Sequence, residues 1–329
     1  MTGVHLGVHF GVHLGVQFGA YTGLASWLVG AVLRASRMPN LSLSAGRRSN
    51  RPAGSPPPRK SPARAVWLEK RLNSRDWEII STIDQLHIVT GGQIERLHFF
   101  ELKSAFRVRA RVLRRLTDIG ALVAMPRRVG GPDGGSGPYV YGLDPAAILL
   151  LRLRENTEET ARIPAGITRA PRLQSHALAV SELYTRLAET SRDSAYQITE
   201  FQAEPDCWWP DGTGSHLKPD AYTALVAEQF TDHWWIEVDL GTESVPVIRA
   251  KFAAYTAFAQ AGIPGPGEVI PRVLVTTPDS ARCAALKRAL SSFPDIAGKV
   301  IHIVTFDAAV PTLAAQITTP IPQKGHPNQ

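Results

Sequence analysis

The chain's apolar side chains follow a helical period in some segments and a strand period in others. A helical period over residues 74–86, with Ser74 in position to cap it, predicts a first helix. Thr90 and Gln93 have the spacing of a capping box and predict a second helix that ends near Phe99. An arginine-rich segment with the same helical period follows these two helices.

A third helix is predicted from a cap at Ser104 to Gly120, and its two sides differ in chemistry. With side chains placed about 100° apart, the apolar side carries Phe106, Ala110, Leu113, Leu116 and Thr117. The opposite side carries four guanidinium groups, those of Arg107, Arg111, Arg114 and Arg115, with Arg109 at the margin of the apolar side. One face can therefore pack on the first two helices while the other presents positive charge.

A β-hairpin is predicted directly after this helix. Leu122–Arg127 and Tyr139–Leu143 have strand patterns, and a Gly/Pro-rich stretch over residues 130–138 separates them. Arg127 and Arg128 lie at the base of the hairpin.

Three short helices followed by a hairpin are the arrangement of a winged helix-turn-helix. In that arrangement the third helix enters the major groove of DNA and the hairpin lies along phosphates. We therefore predict a DNA-binding domain over residues 66–145. The alternative is that the arginines form only a solvated face.

The second half of the chain alternates helices and strands. After a linker helix in residues 146–172, the predicted elements are a helix from about Leu173 that carries His176, strands at Tyr196–Glu200, Ala221–Ala227 and His233–Leu240, a helix capped by Ser244, a strand at Arg272–Thr277, a helix over 280–290 and a strand at Val300–Phe306. This order predicts an α+β or α/β domain with a central mixed sheet over residues 173–310.

Three acidic side chains are expected to meet in this domain. A hairpin centred between residues 228 and 229 places Asp220 opposite Glu237, and period-two alternation puts Asp239 on the same face as Glu237. Carboxylates this close repel one another unless a cation lies between them, and oxygen ligands suit Mg²⁺ or Mn²⁺. We therefore predict a metal site at these three residues, with His176 and Glu243 as accessory residues.

The net charge is distributed unevenly along the chain. Residues 1–65 carry eight Lys or Arg and no acidic residue, residues 66–130 carry twelve basic and seven acidic residues, and residues 131–329 carry sixteen basic and twenty-two acidic residues. The three segments thus contribute +8, +5 and −6 to the net charge of +7. This division suits a basic module that contacts phosphates, joined to a domain that gathers carboxylates.

The ends of the chain have low complexity. Residues 1–65 begin with glycine at every fourth position, and three interpretations are open: translated upstream sequence with Met38 as the true start, a membrane segment over residues 14–33, or a disordered tail. Residues 39–65 are predicted to be a basic disordered linker and residues 311–329 a second disordered tail.

Several classes of chemistry are disfavoured. Cys207 and Cys283 are too few for a disulfide framework or a zinc site and fit a reducing cytoplasm, which is the expected location. A Gly-rich Walker loop is missing from the sequence, so we expect no nucleotide cofactor. The histidines of residues 146–329 are scattered, which argues against the metal-binding triad of a tyrosine relaxase.

Pro219-Asp220 and Glu237-Val238-Asp239, on the predicted hairpin, resemble the PD-(D/E)xK motif of the restriction-endonuclease-like fold. In that family an Asp and a Glu hold Mg²⁺, and a Lys two residues after the Glu positions the attacking water. The resemblance implies metal-assisted hydrolysis of a phosphodiester, with Asp220, Glu237 and Asp239 in the catalytic site. Position 239 is Asp rather than Lys, so Lys251 on the following helix is the candidate for the missing amine.

The stretch from about Leu72 to Phe306 resembles the bacterial replication-relaxation family, found on plasmids and mobile elements, mainly in actinobacteria. The resemblance is carried by His176-Ala177-Leu178-Ala179-Val180, Lys218-Pro219-Asp220-Ala221, Glu237-Val238-Asp239-Leu240-Gly241-Thr242-Glu243, Lys251 and Tyr255. It implies a DNA-binding replication or transfer factor whose partners are DNA and other plasmid replication or transfer proteins. A Mg²⁺- or Mn²⁺-dependent nuclease or nickase and a winged-helix transcriptional regulator are the alternatives.

Overall fold

The computed structural model describes residues 56–125, 138–155, 171–228 and 230–318. The alternative start at Met38, the segment 14–33, and Arg127 and Arg128 lie outside the described residues. Among the helices that are described, none is long and apolar enough to cross a membrane.

The first part of the fold consists of short helices and a small sheet. Its elements are α1 (Pro62–Glu69), α2 (Ser74–Leu86), β1 (Ile88–Thr90), α3 (Gly91–His98), α4 (Ala105–Asp118), β2 (Leu122–Met125) and β3 (Val140–Leu143). The strand order is β1-β3-β2, and both pairs are antiparallel. Leu122 pairs with Leu143 and Met125 with Val140, as the predicted hairpin requires.

The helix caps agree with the sequence in part. Thr90 and Gln93 form the expected capping box at α3. The α2 helix is capped by Asn73 instead of the predicted Ser74, because Asn73 has the extended backbone of a cap and forms a capping box with Asp76. Ser104 precedes α4 as predicted but makes no capping hydrogen bond through its side chain.

The packed face of α4 is rotated from the predicted one. Leu113 and Leu116 are buried as expected. Phe106 was expected on the packed face but is 66% exposed, and Ala110 is also exposed. Val108 and Val112 pack on the core in their place. The predicted helical periodicity was correct. The buried face of α4 extends from Leu116 toward Val108 and Val112 instead of toward Phe106 and Ala110, and α3 and β2 contact this helix.

The first helix overturns part of the predicted basic linker. Residues 62–65, assigned to a disordered segment, begin α1, which Ser61 caps and Pro62 opens. Ala65 and Leu68 are fully buried in this helix, which packs against α5 (Pro145–Glu155). Burial of these two apolar side chains explains why a segment of this composition is ordered.

The second part of the fold is built around a five-stranded sheet. Its elements are α6 (Pro171–Ser191), β4 (Tyr196–Ala203), β5 (Trp209–Pro210), β6 (His216–Leu217), β7 (Ala221–Ala227), β8 (Phe230–Val238), α7 (Val245–Ala261), β9 (Arg272–Thr277), α8 (Ser280–Leu290), α9 (Asp295–Val300), β10 (Ile301–Thr305) and α10 (Ala309–Thr318). The strand order is β10-β9-β8-β7-β4. The β4, β7 and β8 strands are antiparallel neighbours, and β8, β9 and β10 run parallel, so the sheet is mixed as predicted.

Helices cover both faces of this sheet. On one face Trp234, Ile236 and Val238 join a core that includes Leu183 of α6, Leu313 of α10 and the helices before the first hairpin. On the other face Trp235 joins a core formed with α7 and α8. The last five residues of β8, from Trp234 to Val238, are buried, so a polar side chain in this part of the strand lies in a buried setting.

The predicted second tail is wrong for residues 311–318. These residues belong to α10, in which Val310, Leu313 and Ile317 are spaced by three and four and are buried. These three side chains form the apolar face of the helix, and this face packs on the sheet. Residues 319–329 lie outside the described part of the chain.

Candidate functional site

Two buried carboxylates face each other at the ends of β7 and β8. Ala221 pairs with Ile236, and the Asp220 amide donates to the Ile236 carbonyl at 2.9 Å, so the ladder continues to Asp220 opposite Glu237. This is the register that the sequence predicted. Asp220 is 6% exposed and Glu237 4% exposed. Burying two carboxylates side by side is costly unless positive charge or hydrogen bonds compensate.

Glu237 receives that compensation from α7. Lys251 Nζ lies 2.8 Å from Glu237 Oε2, and Tyr255 donates its hydroxyl to Oε1 at 2.6 Å. The two donors are four residues apart, one helical turn, and so reach the same carboxylate. Lys251 Nζ also lies 3.2 Å from Glu243. This brings together three of the residues that the sequence selected: Glu237, Lys251 and Glu243.

The electrostatics of this group follow from its burial. Desolvation, and then the charge of Asp220, raise the pKa of Glu237 to about 7, although Lys251 and Tyr255 oppose that shift. Burial alone would lower the Lys251 pKa, but the negative charges of Glu237 and Asp220 outweigh burial and raise it. Lys251 is therefore a permanently charged partner for Glu237.

The second partner of Asp220 comes from α6. Val180, Leu183 and Leu187 form the buried stripe of this helix, and His176 lies one turn before Val180. His176 Nε2 is 3.0 Å from Asp220 Oδ1, and the Val238 amide donates to Asp220 Oδ2 at 2.6 Å. The hydrogen bond to Asp220 raises the pKa of His176, against the opposing effect of burial.

Glu204 is the site residue that sequence reasoning missed. Ala203 pairs with Ala221, so Glu204 follows β4 directly opposite Asp220. Within the described residues, one nitrogen or oxygen atom from each of His176, Glu204 and Asp220 lies within 4.8 Å of the other two. Desolvation and the negative charge of Asp220 raise the pKa of Glu204. The pairing of β4 with β7, which the sequence analysis did not assign, places Glu204 there.

Asp239 occupies a different environment from the other two carboxylates. Its Oδ1 accepts from the Gly241 amide at 2.8 Å, and its Oδ2 accepts from Arg282 Nε at 2.6 Å. Arg282 also donates to the Glu243 carbonyl, so Asp239 ties the segment before α7 to α8. The structure does not bring Asp239 into the group of His176, Glu204 and Asp220.

The main chain beneath the site is held by three hydrogen bonds. The Glu204 amide donates to the Asp220 carbonyl at 2.9 Å, and the Cys207 thiol donates to the Pro219 carbonyl at 3.1 Å. His87 Nε2 lies 2.9 Å from the Glu204 carbonyl. Burial raises the pKa of Cys207, so it remains a neutral donor. These contacts fix the backbone of Glu204 beside that of Asp220.

A separate basic surface lies on α4. Arg107, Arg111 and Arg114 are exposed on the face opposite Leu116. Arg114 approaches Asp118 at 3.9 Å, but both side chains are mostly exposed, so this pair contributes little. The arginines at the edges of this face have other partners: Arg115 pairs with the buried Asp76, and Arg109 lies 3.4 Å from Glu95. Three of the four arginines predicted on this face therefore form an exposed basic surface.

Comparison with known proteins gives one match. The model of the replication-relaxation family matches residues 80–273, which is more than half of the 329-residue chain and includes α4, His176, Glu204, Asp220, Glu237 and Lys251. Neither the curated proteins nor the solved structures contain a match. The chain therefore belongs to the replication-relaxation family.

Proposed function

We propose that this protein binds DNA through α4 and acts in the replication or relaxation of plasmid or mobile-element DNA. The observation that carries the proposal is the exposed face of Arg107, Arg111 and Arg114, on a helix whose opposite face is buried at Leu113 and Leu116. Guanidinium groups on one face of a helix can donate to phosphate oxygens and to base edges in a groove.

The order of elements supports this assignment. Three helices, α2, α3 and α4, precede the antiparallel strands β2 and β3, as in a winged helix-turn-helix. In that arrangement α4 is the recognition helix. Arg115 has a smaller part, because its guanidinium is committed to Asp76.

The proposal is tested by removing charge from the centre of the α4 surface. Arg111→Ala/Arg114→Ala is expected to weaken duplex binding in a gel-shift titration, since both side chains are exposed and mostly free to contact phosphates. The matched control is Lys287→Ala/Arg288→Ala, which removes two charges from exposed positions on α8. Equal affinity of the two double variants would overturn the assignment of α4.

A second candidate function is metal-dependent cleavage of DNA, supported by the position of Lys251. Its amine is 2.8 Å from Glu237, where a PD-(D/E)xK enzyme would bring the lysine that is missing at position 239. The helix and three antiparallel strands, followed by α7 and the parallel strand β9, also resemble the restriction-endonuclease-like core.

The residues of the site fit a divalent ion. Asp220 is a buried carboxylate whose Oδ1 contacts His176 instead of a Lys or Arg, and Glu204 lies nearby, so these side chains can hold a cation. Such an ion would supply an activated water and stabilise negative charge on a phosphodiester. Lys251 and Tyr255 would orient Glu237 through the hydrogen bonds that they donate to its two carboxylate oxygens.

Cleavage is tested on supercoiled plasmid with Mn²⁺ or Mg²⁺. Wild-type protein is expected to produce open-circular or linear DNA, and Asp220→Asn to produce none, because Asp220 is the buried carboxylate that lies opposite Glu237 and contacts His176. Asp206→Asn removes an exposed charge two residues from Glu204 and serves as the control. Plasmid that is bound but uncut by the wild type would contradict cleavage and favour a non-catalytic replication factor.

A further inference from the structure

We propose that His176, Glu204 and Asp220 form a binding site for a divalent transition metal, with Mn²⁺ preferred over Mg²⁺. The inference deepens the cleavage function and rests on it for the use of the ion, although metal binding itself is independent of cleavage. It replaces the ligand set that the sequence suggested, in which Glu237 and Asp239 accompanied Asp220.

Two of the carboxylates that the sequence suggested as metal ligands already have cationic partners. Glu237 is already paired with Lys251 and bonded to Tyr255, and Asp239 is paired with Arg282 and bonded to Gly241. Both oxygens of each group are therefore occupied, and each negative charge has a cation beside it. A metal ion at either carboxylate would have to displace a Lys or an Arg.

Asp220 and Glu204 are in the opposite situation. In the described part of the structure, neither carboxylate has a Lys or Arg within salt-bridge distance, and the ion-pair partner of Asp220 is the imidazole of His176. Together the two carboxylates carry excess negative charge when the imidazole of His176 is neutral. A divalent ion would remove that excess and relieve the repulsion between Asp220 and Glu204.

The distances allow a single ion to reach all three groups. The three ligand atoms lie within 4.8 Å of one another. Two ligands on opposite sides of one ion, each at about 2.1 Å, are separated by roughly 4.2 Å. His176 Nε2 and Asp220 Oδ1, which are 3.0 Å apart, already have the separation of two adjacent ligands, and the carboxylate of Glu204 can move to complete the set because Glu204 is exposed.

The backbone brings the ligands together before any ion binds. Glu204 directly follows β4 and Asp220 directly precedes β7, and their main chains are joined by the 2.9 Å hydrogen bond from the Glu204 amide. His176 is presented by α6, which is anchored by Ser181 to the Ile88 carbonyl. Ligands from three rigid elements bind at a lower entropic cost than ligands from one loop.

The donor atoms indicate which metals would bind. One imidazole nitrogen and two carboxylate oxygens suit Mn²⁺ and other first-row transition ions, whereas Mg²⁺ favours oxygen ligands and retained water. On binding, the metal ion would take the place of the proton between His176 Nε2 and Asp220 Oδ1.

The test is a titration of the full chain with Mn²⁺, with free Mn²⁺ followed by electron paramagnetic resonance. We expect one Mn²⁺ per chain, and weaker binding in His176→Gln and in Glu204→Gln by more than the roughly 10–100-fold that loss of an outer-shell partner costs. Asp206→Asn, with the same change of charge in the same loop, should bind as the wild type does. An excess of Mg²⁺ should not displace the ion.

Absence of binding by the wild type, equal binding by the Glu204 and His176 variants, or ready displacement by Mg²⁺ would overturn the proposal. Spin-echo modulation from an imidazole nitrogen in wild-type protein loaded with Mn²⁺ gives a test that needs no variant, and a spectrum without it would also overturn the proposal. Metal bound at this site without plasmid cleavage would contradict only the cleavage function. Cleavage that survives in both variants would contradict only this ligand set.

Discussion

At the residue scale, the structure compensates buried charge in two different ways. Glu237 and Asp239 are each 4% exposed, and each has a cationic side chain and a second donor. Asp220 is equally buried but is balanced by an imidazole and a backbone amide. Truncating one member of a buried ion pair leaves an uncompensated charge. Loss of Lys251 or Arg282 should therefore destabilise the fold around Glu237 or Asp239.

His98 provides a pH-dependent prediction away from the site. Burial, and then the charges of Arg75 and Arg192, lower its pKa to about 4, and its Nε2 lies 2.9 Å from Thr82 Oγ1. His98 is therefore neutral near neutral pH, and Glu78 at 3.9 Å is not a true ion-pair partner there. The unfolded chain, with a histidine pKa near about 6.5, binds the proton more readily.

The stability associated with His98 is thus complete above about pH 6.5 and is lost as the pH falls toward 4. Between about pH 6.5 and 5 the loss should reach about 2 kcal/mol of unfolding free energy. Urea denaturation of wild type and His98→Asn over this range measures it, since carboxylates shared by both proteins cancel. Parallel pH profiles for the two proteins would contradict a neutral, buried His98.

At the element scale, the N-terminal cap of α2 is Asn73. Asn73 accepts from the Asp76 amide at 3.0 Å, and Asp76 accepts in turn from the Asn73 amide at 2.9 Å. Ser74, which the sequence pattern favoured, is the first residue inside α2. The hydrogen-bonded cap therefore lies one residue before the predicted one.

This difference predicts unequal effects of two neighbouring substitutions. Asn73→Ala should lower the unfolding free energy by about 1 kcal/mol because it removes the cap, and Ser74→Ala should change it by less than about 0.5 kcal/mol. Chemical denaturation of both variants checks the prediction. A larger loss for Ser74→Ala would mean that α2 is capped by Ser74.

The elements also explain how much of the site could be predicted from the sequence. The turn between β7 and β8 is short and its register is regular, so symmetry about residues 228 and 229 correctly placed Asp220 opposite Glu237. The β4 strand has an irregularity between Ile198 and Glu200 that shifts its register against β7. Counting from the sequence cannot anticipate such a bulge, and the position of Glu204 was therefore missed.

Other parts of the site depend on contacts between distant residues. Arg282 reaches Asp239 from 43 positions along the chain, and no local pattern links the two. Likewise, the commitment of Arg115 to Asp76 follows from how α4 lies on α2, which helical periodicity alone does not specify. Periodicity predicted the helices and the strands, whereas the rotation of each helix was set by the packing around it.

At the scale of the whole molecule, the proposed DNA-contact surface and the proposed metal site lie on different elements of one fold. The basic surface is carried by α4, and the carboxylates lie at the ends of β4, β7 and β8. One hydrophobic core extends from Ile79 and Leu113 to Leu225 and Ile236, through both of these regions. Substitutions at the α4 surface should therefore alter DNA affinity without changing metal binding.

The central claim, DNA binding through α4, is tested most directly by the salt dependence of duplex binding. Fluorescence anisotropy of a labelled duplex, titrated with wild type, Arg111→Ala/Arg114→Ala and Lys287→Ala/Arg288→Ala at several salt concentrations, gives the slope of log K against log salt for each protein. Each lost phosphate contact should reduce the steepness by about 0.9, so the Arg111/Arg114 variant should be shallower by about 2 while the control matches the wild type. Identical slopes for all three proteins would contradict the account.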